Sequence, residues 1–129
     1  MSRLSLRCIK AALVALTCGI GLGAWFALDR SAGAWLRPLH AELNLWGWAT
    51  LLIYGMGYHM LPRFLGRPLV RTRPAALQSW LAIVGVALAS LGWLGLLLGW
   101  PPAQALLIAG GATQAAAALL FALLIGELL

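Results

Sequence analysis

The chain has 129 residues, of which 63% are hydrophobic and 9% are charged, and its formal net charge is +6. A soluble domain carries roughly a quarter charged residues, so this composition excludes an ordinary globular domain and indicates an integral membrane protein whose first partner is the lipid bilayer. The positive charge does not predict nucleic-acid binding, because no basic stripe alternates with exposed aromatic residues.

Four apolar segments follow one another along the chain, at residues 9–28, 39–61, 76–100 and 102–128. Each has the roughly 20 residues that an α-helix needs to cross a bilayer core of about 30 Å. The strands of a membrane barrel would alternate apolar and polar residues, and these segments do not. We therefore predict an all-α fold in which residues 1–129 form a single transmembrane four-helix bundle.

The first segment follows a basic stretch and carries both cysteines. Its apolar run is longer than the roughly 7–15 residues of a signal-peptide core, so we expect an uncleaved transmembrane helix. Cys8 and Cys18 are ten residues apart, or about 15 Å along a helix. They cannot bridge each other within this helix, and we interpret them as small apolar packing residues.

Seven of the nine basic residues lie in two clusters. Arg3, Arg7 and Lys10 come before or at the start of the first segment. The second cluster lies between the second and third segments and comprises Arg63, Arg67, Arg71 and Arg73. With four spans both clusters fall on one side, which the positive-inside rule assigns to the cytoplasm. We therefore predict cytoplasmic termini and a multi-pass protein of the bacterial inner (cytoplasmic) membrane.

Three pairs of small residues, each four positions apart, predict close helix packing. The pairs are Gly19 with Gly23, Gly95 with Gly99, and Gly111 with Ala115. Such surfaces suit helix contacts within one chain and also between chains. We expect a homo-oligomer or association with other subunits of a membrane complex.

The second segment contains a polar stripe headed by His40. At about 100° per residue, Asn44, Gly47 and Tyr54 lie within about 40° of His40 on a helix. A histidine at membrane depth is costly unless it is paired, and such a histidine is commonly a ligand of haem iron. Gly47 would leave room for a flat macrocycle. The alternative is a helix-packing face with a hydrogen-bonded histidine.

Other polar residues of the membrane segments leave more than one interpretation open. His59 is a weaker candidate for a haem or metal ligand, because it lies near a membrane interface where it can reach water. It is about 28 Å from His40 along one helix, so the two histidines cannot bind one iron. Glu42 is expected to pair with Arg37 or Arg30, or to line a proton or metal path. No nucleophile with an adjacent base can be assembled, so we do not predict catalysis by this chain alone.

The middle of the fourth segment contains one strong polar group, Gln114, which we expect to hydrogen-bond between helices.

The second segment also resembles a known helix. It opens with Arg37-Pro38-Leu39-His40, has glycines at 47, 55 and 57, and closes with Tyr58-His59-Met60-Leu61-Pro62-Arg63. This pattern is similar to the second helix of subunit I of the haem–copper oxidase superfamily, especially the cbb-type oxidases and nitric oxide reductases. The resemblance covers about a quarter of the chain, and the helices that carry the copper-site histidines of that family have no counterpart here.

The resemblance implies a truncated relative of that subunit. His40 matches the histidine that ligates the low-spin haem near the outer face, which implies haem b held by His40 with Asn44, Gly47 and Tyr54 beside it. The function it implies is electron transfer or haem and gas sensing within an oligomer or complex. A different class of function is also open: a haem-free accessory or assembly subunit of a respiratory membrane complex.

Overall fold

Four helical rods make up the structure, which a computed structural model describes for residues 2–68 and 71–129. The first, third and fourth rods are single α-helices, and the second is divided into three parts. The elements are α1 (Arg3–Leu28), α2 (Arg30–Glu42), a π-helical segment (Leu43–Thr50), α3 (Leu51–Phe64), α4 (Thr72–Leu97) and α5 (Ala103–Gly126). The predicted all-α, four-helix fold is confirmed.

Three of the helices in the described residues, α1, α4 and α5, are long and apolar enough to cross a membrane. They correspond to the first, third and fourth predicted segments. The second predicted segment lies within the second rod, where the helix is continuous but none of its three parts reaches 18 residues. Cys8 is buried on α1, in agreement with its interpretation as a packing residue, whereas Cys18 is exposed.

The second rod begins at Arg30, earlier than the predicted start near residue 39. Asp29 is its N-cap: the carboxylate accepts hydrogen bonds from the backbone N–H of Ser31 at 2.9 Å and from the Ser31 hydroxyl at 2.6 Å. An aspartate in this position satisfies N–H groups that the first turn leaves free. Pro38 lies inside the helix, so the Arg37-Pro38 pair does not mark its start.

The π-helical segment changes which residues share a face of the second rod. Its pairing runs from residue i to i+5, and the Thr50 hydroxyl follows the same step by donating to the Leu45 carbonyl at 2.8 Å. Residues beyond the segment are therefore rotated relative to those before it. His40 contacts α1 through Gly19, whereas Tyr54 packs with Cys8 and Ala12 of α1 and with Phe121 of α5. The predicted common face of His40 and Tyr54 stays a prediction.

Helices α4 and α5 form a close hairpin through small residues. A Cβ placed on Gly110 would lie 2.5 Å from the backbone nitrogen of Ala89, so only glycine permits this approach. The predicted pair Gly111 and Ala115 is exposed instead, and a Cβ on Gly111 would meet nothing within 4 Å. The prediction of close packing on α5 was right, but the contacting face is one residue away from the pair chosen.

The glycines at the end of α4 have two different roles. Gly95 packs closely, since a Cβ there would lie 2.9 Å from the Cβ of Ala103. Gly99 lies outside the helix with φ of +67°, and the N–H of Trp100 bonds back to the Gly95 carbonyl at 2.8 Å. The left-handed conformation at Gly99 ends α4, so its predicted role as a helix-packing residue is wrong.

The two basic clusters lie at the same end of the bundle. Arg3 at the start of α1, Tyr58 on α3 and Thr72 at the start of α4 line one cleft. Arg71 and Glu127, the latter just beyond α5, form a salt bridge of 3.3 Å at this end. The start of α1, the beginning of α4 and the C-terminus are therefore close together, as four antiparallel rods require.

Candidate functional site

The imidazole of His40 lies in a notch of α1 formed by two glycines. Its Nδ1 is 2.9 Å from the carbonyl oxygen of Gly19, and because a carbonyl only accepts, Nδ1 carries the proton of this hydrogen bond. A Cβ on Gly23 would lie 3.2 Å from the Cε1 of His40. The ring of Phe26 is 5.3 Å away, centroid to centroid. The predicted packing role of Gly19 and Gly23 is confirmed, and the group that they receive is a side chain of the second rod.

Asn44 lies one turn after His40 and packs against the same part of α1. Its Nδ2 donates to the backbone carbonyl of His40 at 2.8 Å. The amide covers Gly19 so closely that a Cβ on that glycine would lie 2.5 Å from Nδ2. His40 and Asn44 therefore share a face, as predicted, and that face is covered by α1.

Gly47 is buried where the π-helical segment meets α1 and α4. A Cβ on Gly47 would lie 2.6 Å from the Cβ of Ala15 and 3.4 Å from Cγ1 of Val86. The space that the sequence analysis reserved for a macrocycle thus contains Ala15. A haem does not fit against Gly47 while α1 keeps this position.

Tyr54 and Tyr58 face the core that α3 forms with α1, α4 and α5. The ring of Tyr54 is 4.5 Å from that of Phe121, and only 5% of Tyr54 is exposed. The hydroxyl of Tyr58 donates to Oε1 of Gln78 at 3.2 Å, and Nε2 of Gln78 donates to the carbonyl of Ala117 at 3.2 Å. Gln78 was not predicted as a site residue, although it is the sole Asn or Gln of the third apolar segment.

Glu42 is buried at the end of α2 and points toward α5. Nε2 of Gln114 donates to its Oε1, and the exposed fractions of the two residues are 9% and 5%. The expected bond from Gln114 to another helix is confirmed. The expected pairing of Glu42 with Arg37 or Arg30 is wrong, because both arginines lie exposed on the rod while the carboxylate is turned inward.

His59 lies at the opposite end of the second rod, near the basic clusters. Nη1 of Arg63 is 3.1 Å from its Nε2, so the arginine donates and the imidazole nitrogen accepts. In residues 2–68 and 71–129 no group of three or more His, Cys, Asp or Glu side chains could together hold a metal ion. The metal role suggested for His59 stays a prediction.

Comparisons of the chain with protein-family models, with curated proteins and with solved structures found no significant match. The resemblance to the oxidase subunit stays a prediction that depends on the residues of the second rod alone.

Proposed function

We propose that this chain is a small, haem-free subunit of a membrane complex, in which it packs and stabilises helices and takes no part in chemistry. The main support for the proposal is that the polar side chains of His40 and Glu42 are hydrogen-bonded to other helices inside the bundle. His40 bonds to the backbone of α1, and Glu42 bonds to Gln114. Gly47 packs against the side chain of Ala15, which fills the space beside it.

The outward surface suits contact with lipid and with apolar partner helices. Large apolar side chains such as Val14, Ile108 and Leu119 are between 64% and 68% exposed. Without water at membrane depth, such a surface is stable only against acyl chains or other apolar helices. Together with the resemblance to an oxidase helix, this surface supports an accessory or assembly role in a respiratory complex of the bacterial inner membrane.

A deletion strain tests this role. We expect native gels of its membranes to contain less of one respiratory complex, and the complex to return when the wild-type chain is supplied. The His40→Ala variant should restore it as well, because packing tolerates the loss of one hydrogen bond of about 1 kcal/mol. An unchanged amount of every respiratory complex in the deletion strain would contradict the proposal.

The proposed topology has four spans with both termini in the cytoplasm. Its support is the location of the two basic clusters at one end of the bundle, combined with the positive-inside rule. Reporter fusions after Leu129 and after Pro101 should report the cytoplasm and the periplasm, respectively. Periplasmic activity of the Leu129 fusion would contradict the topology.

Haem b binding at His40 is the second candidate, and one observation favours it. Since Nδ1 donates to Gly19, Nε2 carries no proton in the neutral ring, and this is the tautomer of histidines that bind a metal through Nε2. The candidate requires α1 to move away from the second rod, and a second chain to supply the other axial ligand.

Absorption spectra of protein produced with excess haem separate the two candidates. A Soret band that is lost in His40→Ala and kept in His59→Ala would establish the haem candidate. We expect no such band in the wild-type protein.

A further inference from the structure

A cleft of about 550 Å³ opens at the end of the bundle where α1 and α4 begin and α3 ends. Its charged lining residues are Arg3, Arg7 and Arg63, and His59 lies beside them. Among the described residues that line it, none is acidic. Three guanidinium groups around one cavity create a positive potential that favours an anion.

The acidic residue that the structure places at this end is already paired. Glu127 binds Nε of Arg71 at 3.3 Å, so its charge is matched by a residue that does not line the cleft. The carboxylate of Glu127 therefore does not compensate the positive charge of Arg3, Arg7 and Arg63. The cleft can therefore still bind an anion from outside the chain.

Two helices begin at the cleft and add to its positive potential. Ser2, the N-cap of α1, and Thr72, the first residue of α4, both line it. Ser2 accepts from the N–H of Ser5, whereas within the described residues the N-cap of α4, Arg71, makes no side-chain capping bond. Free N–H groups and the helix dipole favour negative charge near such ends, which strengthens the effect of the arginines.

Arg7 is held in a fixed and partly buried position. Its guanidinium carbon lies 4.5 Å from the centre of a Trp80 ring, a distance typical of a cation–π contact. Within the described part of the chain, its buried Nε has no hydrogen-bond partner. A buried donor without an acceptor is costly, so this guanidinium has unmet hydrogen-bonding capacity at the wall of the cleft.

Arg63 is oriented by its own helix. Nη1 of Arg63 donates to Nε2 of His59, one turn before it, and both residues line the cleft. The other N–H groups of the guanidinium remain for a ligand. Arginine binds phosphate oxygens through such paired donors, which a lysine cannot arrange in the same way.

We propose that this cleft is a binding site for a phosphate group, presented either by the headgroup of an anionic phospholipid or by a soluble phosphate compound. The two arginines with fixed orientation, Arg7 and Arg63, contact the phosphate oxygens, and Arg3 adds charge at the rim. The inference stands apart from the question of haem and from the proposed role in a complex.

Native mass spectrometry of the full chain in detergent tests the lipid source. We expect phosphatidylglycerol to bind at least tenfold more tightly than phosphatidylcholine, whose choline cation would face the arginines. Calorimetry with glycerol 3-phosphate tests the soluble source. Binding in either arm supports the site and identifies the source, and binding in neither arm overturns it.

The binding affinities of variants distinguish a specific site in the cleft from a general effect of surface charge. Arg7→Gln and Arg63→Gln should each weaken binding about tenfold, because each removes charge-assisted hydrogen bonds. Arg37→Gln is the matched control: it removes the same charge from an exposed residue of α2 and should leave the affinity unchanged. Equal losses in Arg37→Gln and in the two cleft variants would overturn the proposal. Circular dichroism checks the folding of each variant, and the exposed Arg63 keeps the test valid if Arg7→Gln does not fold.

Discussion

Adding one methyl group at Gly47 should destabilise the bundle, and removing one from Ala15 should reverse the effect. In Gly47→Ala the new Cβ would lie 2.6 Å from the Cβ of Ala15, well inside contact distance. Overpacking costs about 1–3 kcal/mol, and a contact this short belongs in the upper part of that range, at about 2–3 kcal/mol. The better helix propensity of alanine offsets about 1 kcal/mol of this. We expect Gly47→Ala to lower the free energy of unfolding by about 1–2 kcal/mol.

The sign of the effect should change in the Ala15→Gly background. That variant alone should cost about 1 kcal/mol through the lower helix propensity of glycine. Once the methyl of residue 15 is gone, Gly47→Ala fills the space and should stabilise by about 1 kcal/mol. Gly21→Ala is the control, because a Cβ there would meet nothing within 4 Å, and it should be neutral or slightly stabilising.

Reversible unfolding in mixed micelles with increasing dodecyl sulfate, followed by circular dichroism, measures these differences. A Gly47→Ala variant as stable as the wild type, or an effect that is the same with and without Ala15→Gly, would contradict this prediction. Either result would mean that α1 does not cover Gly47. The space for a haem beside the second rod would then be open again.

Three further predictions concern polar groups and the end of α4. Gln114→Leu should cost about 1–3 kcal/mol of unfolding free energy in the same assay, because it leaves the buried carboxyl of Glu42 without its donor. Hydrogen bonds from Ser31 lower the pKa of the Asp29 carboxyl. The stability from this cap is therefore present above the unfolded-state pKa, near 3.8, and is lost as the pH falls through the lower folded-state pKa. Thermal unfolding measured against pH should show this loss in the wild type and not in Asp29→Asn. Gly99→Ala should lower the thermal midpoint and cost about 1 kcal/mol, because the residue has φ of +67°.

The helices that the sequence predicted best are those with a simple apolar pattern. The long apolar runs of α4 and α5 correspond to predicted segments, because length and hydropathy decide them. The second rod was predicted less well at its start and along its faces. Its early beginning depends on one capping residue, Asp29, and a π-helical segment is invisible to an analysis at 100° per residue.

Candidate-site residues were identified more reliably than their partners. His40 and Asn44 do share one face, and Gln114 does bond between helices. The partner of His40 is a backbone carbonyl, at Gly19, and no side-chain pattern in a sequence can indicate such an acceptor. Glu42 has a neutral partner where an arginine was expected, because the choice depends on which way the rod is turned in the bundle.

The environment of His40 is the most direct test of the account, and nitrogen-15 NMR of the histidine rings measures it. The chain has two histidines, so the spectrum of His59→Ala assigns the signals of His40. We predict a proton on Nδ1, bonded to Gly19, and signals that do not change when one equivalent of haem is added. An Nδ1 without a proton, or the loss of the His40 signals on addition of haem, would contradict this prediction.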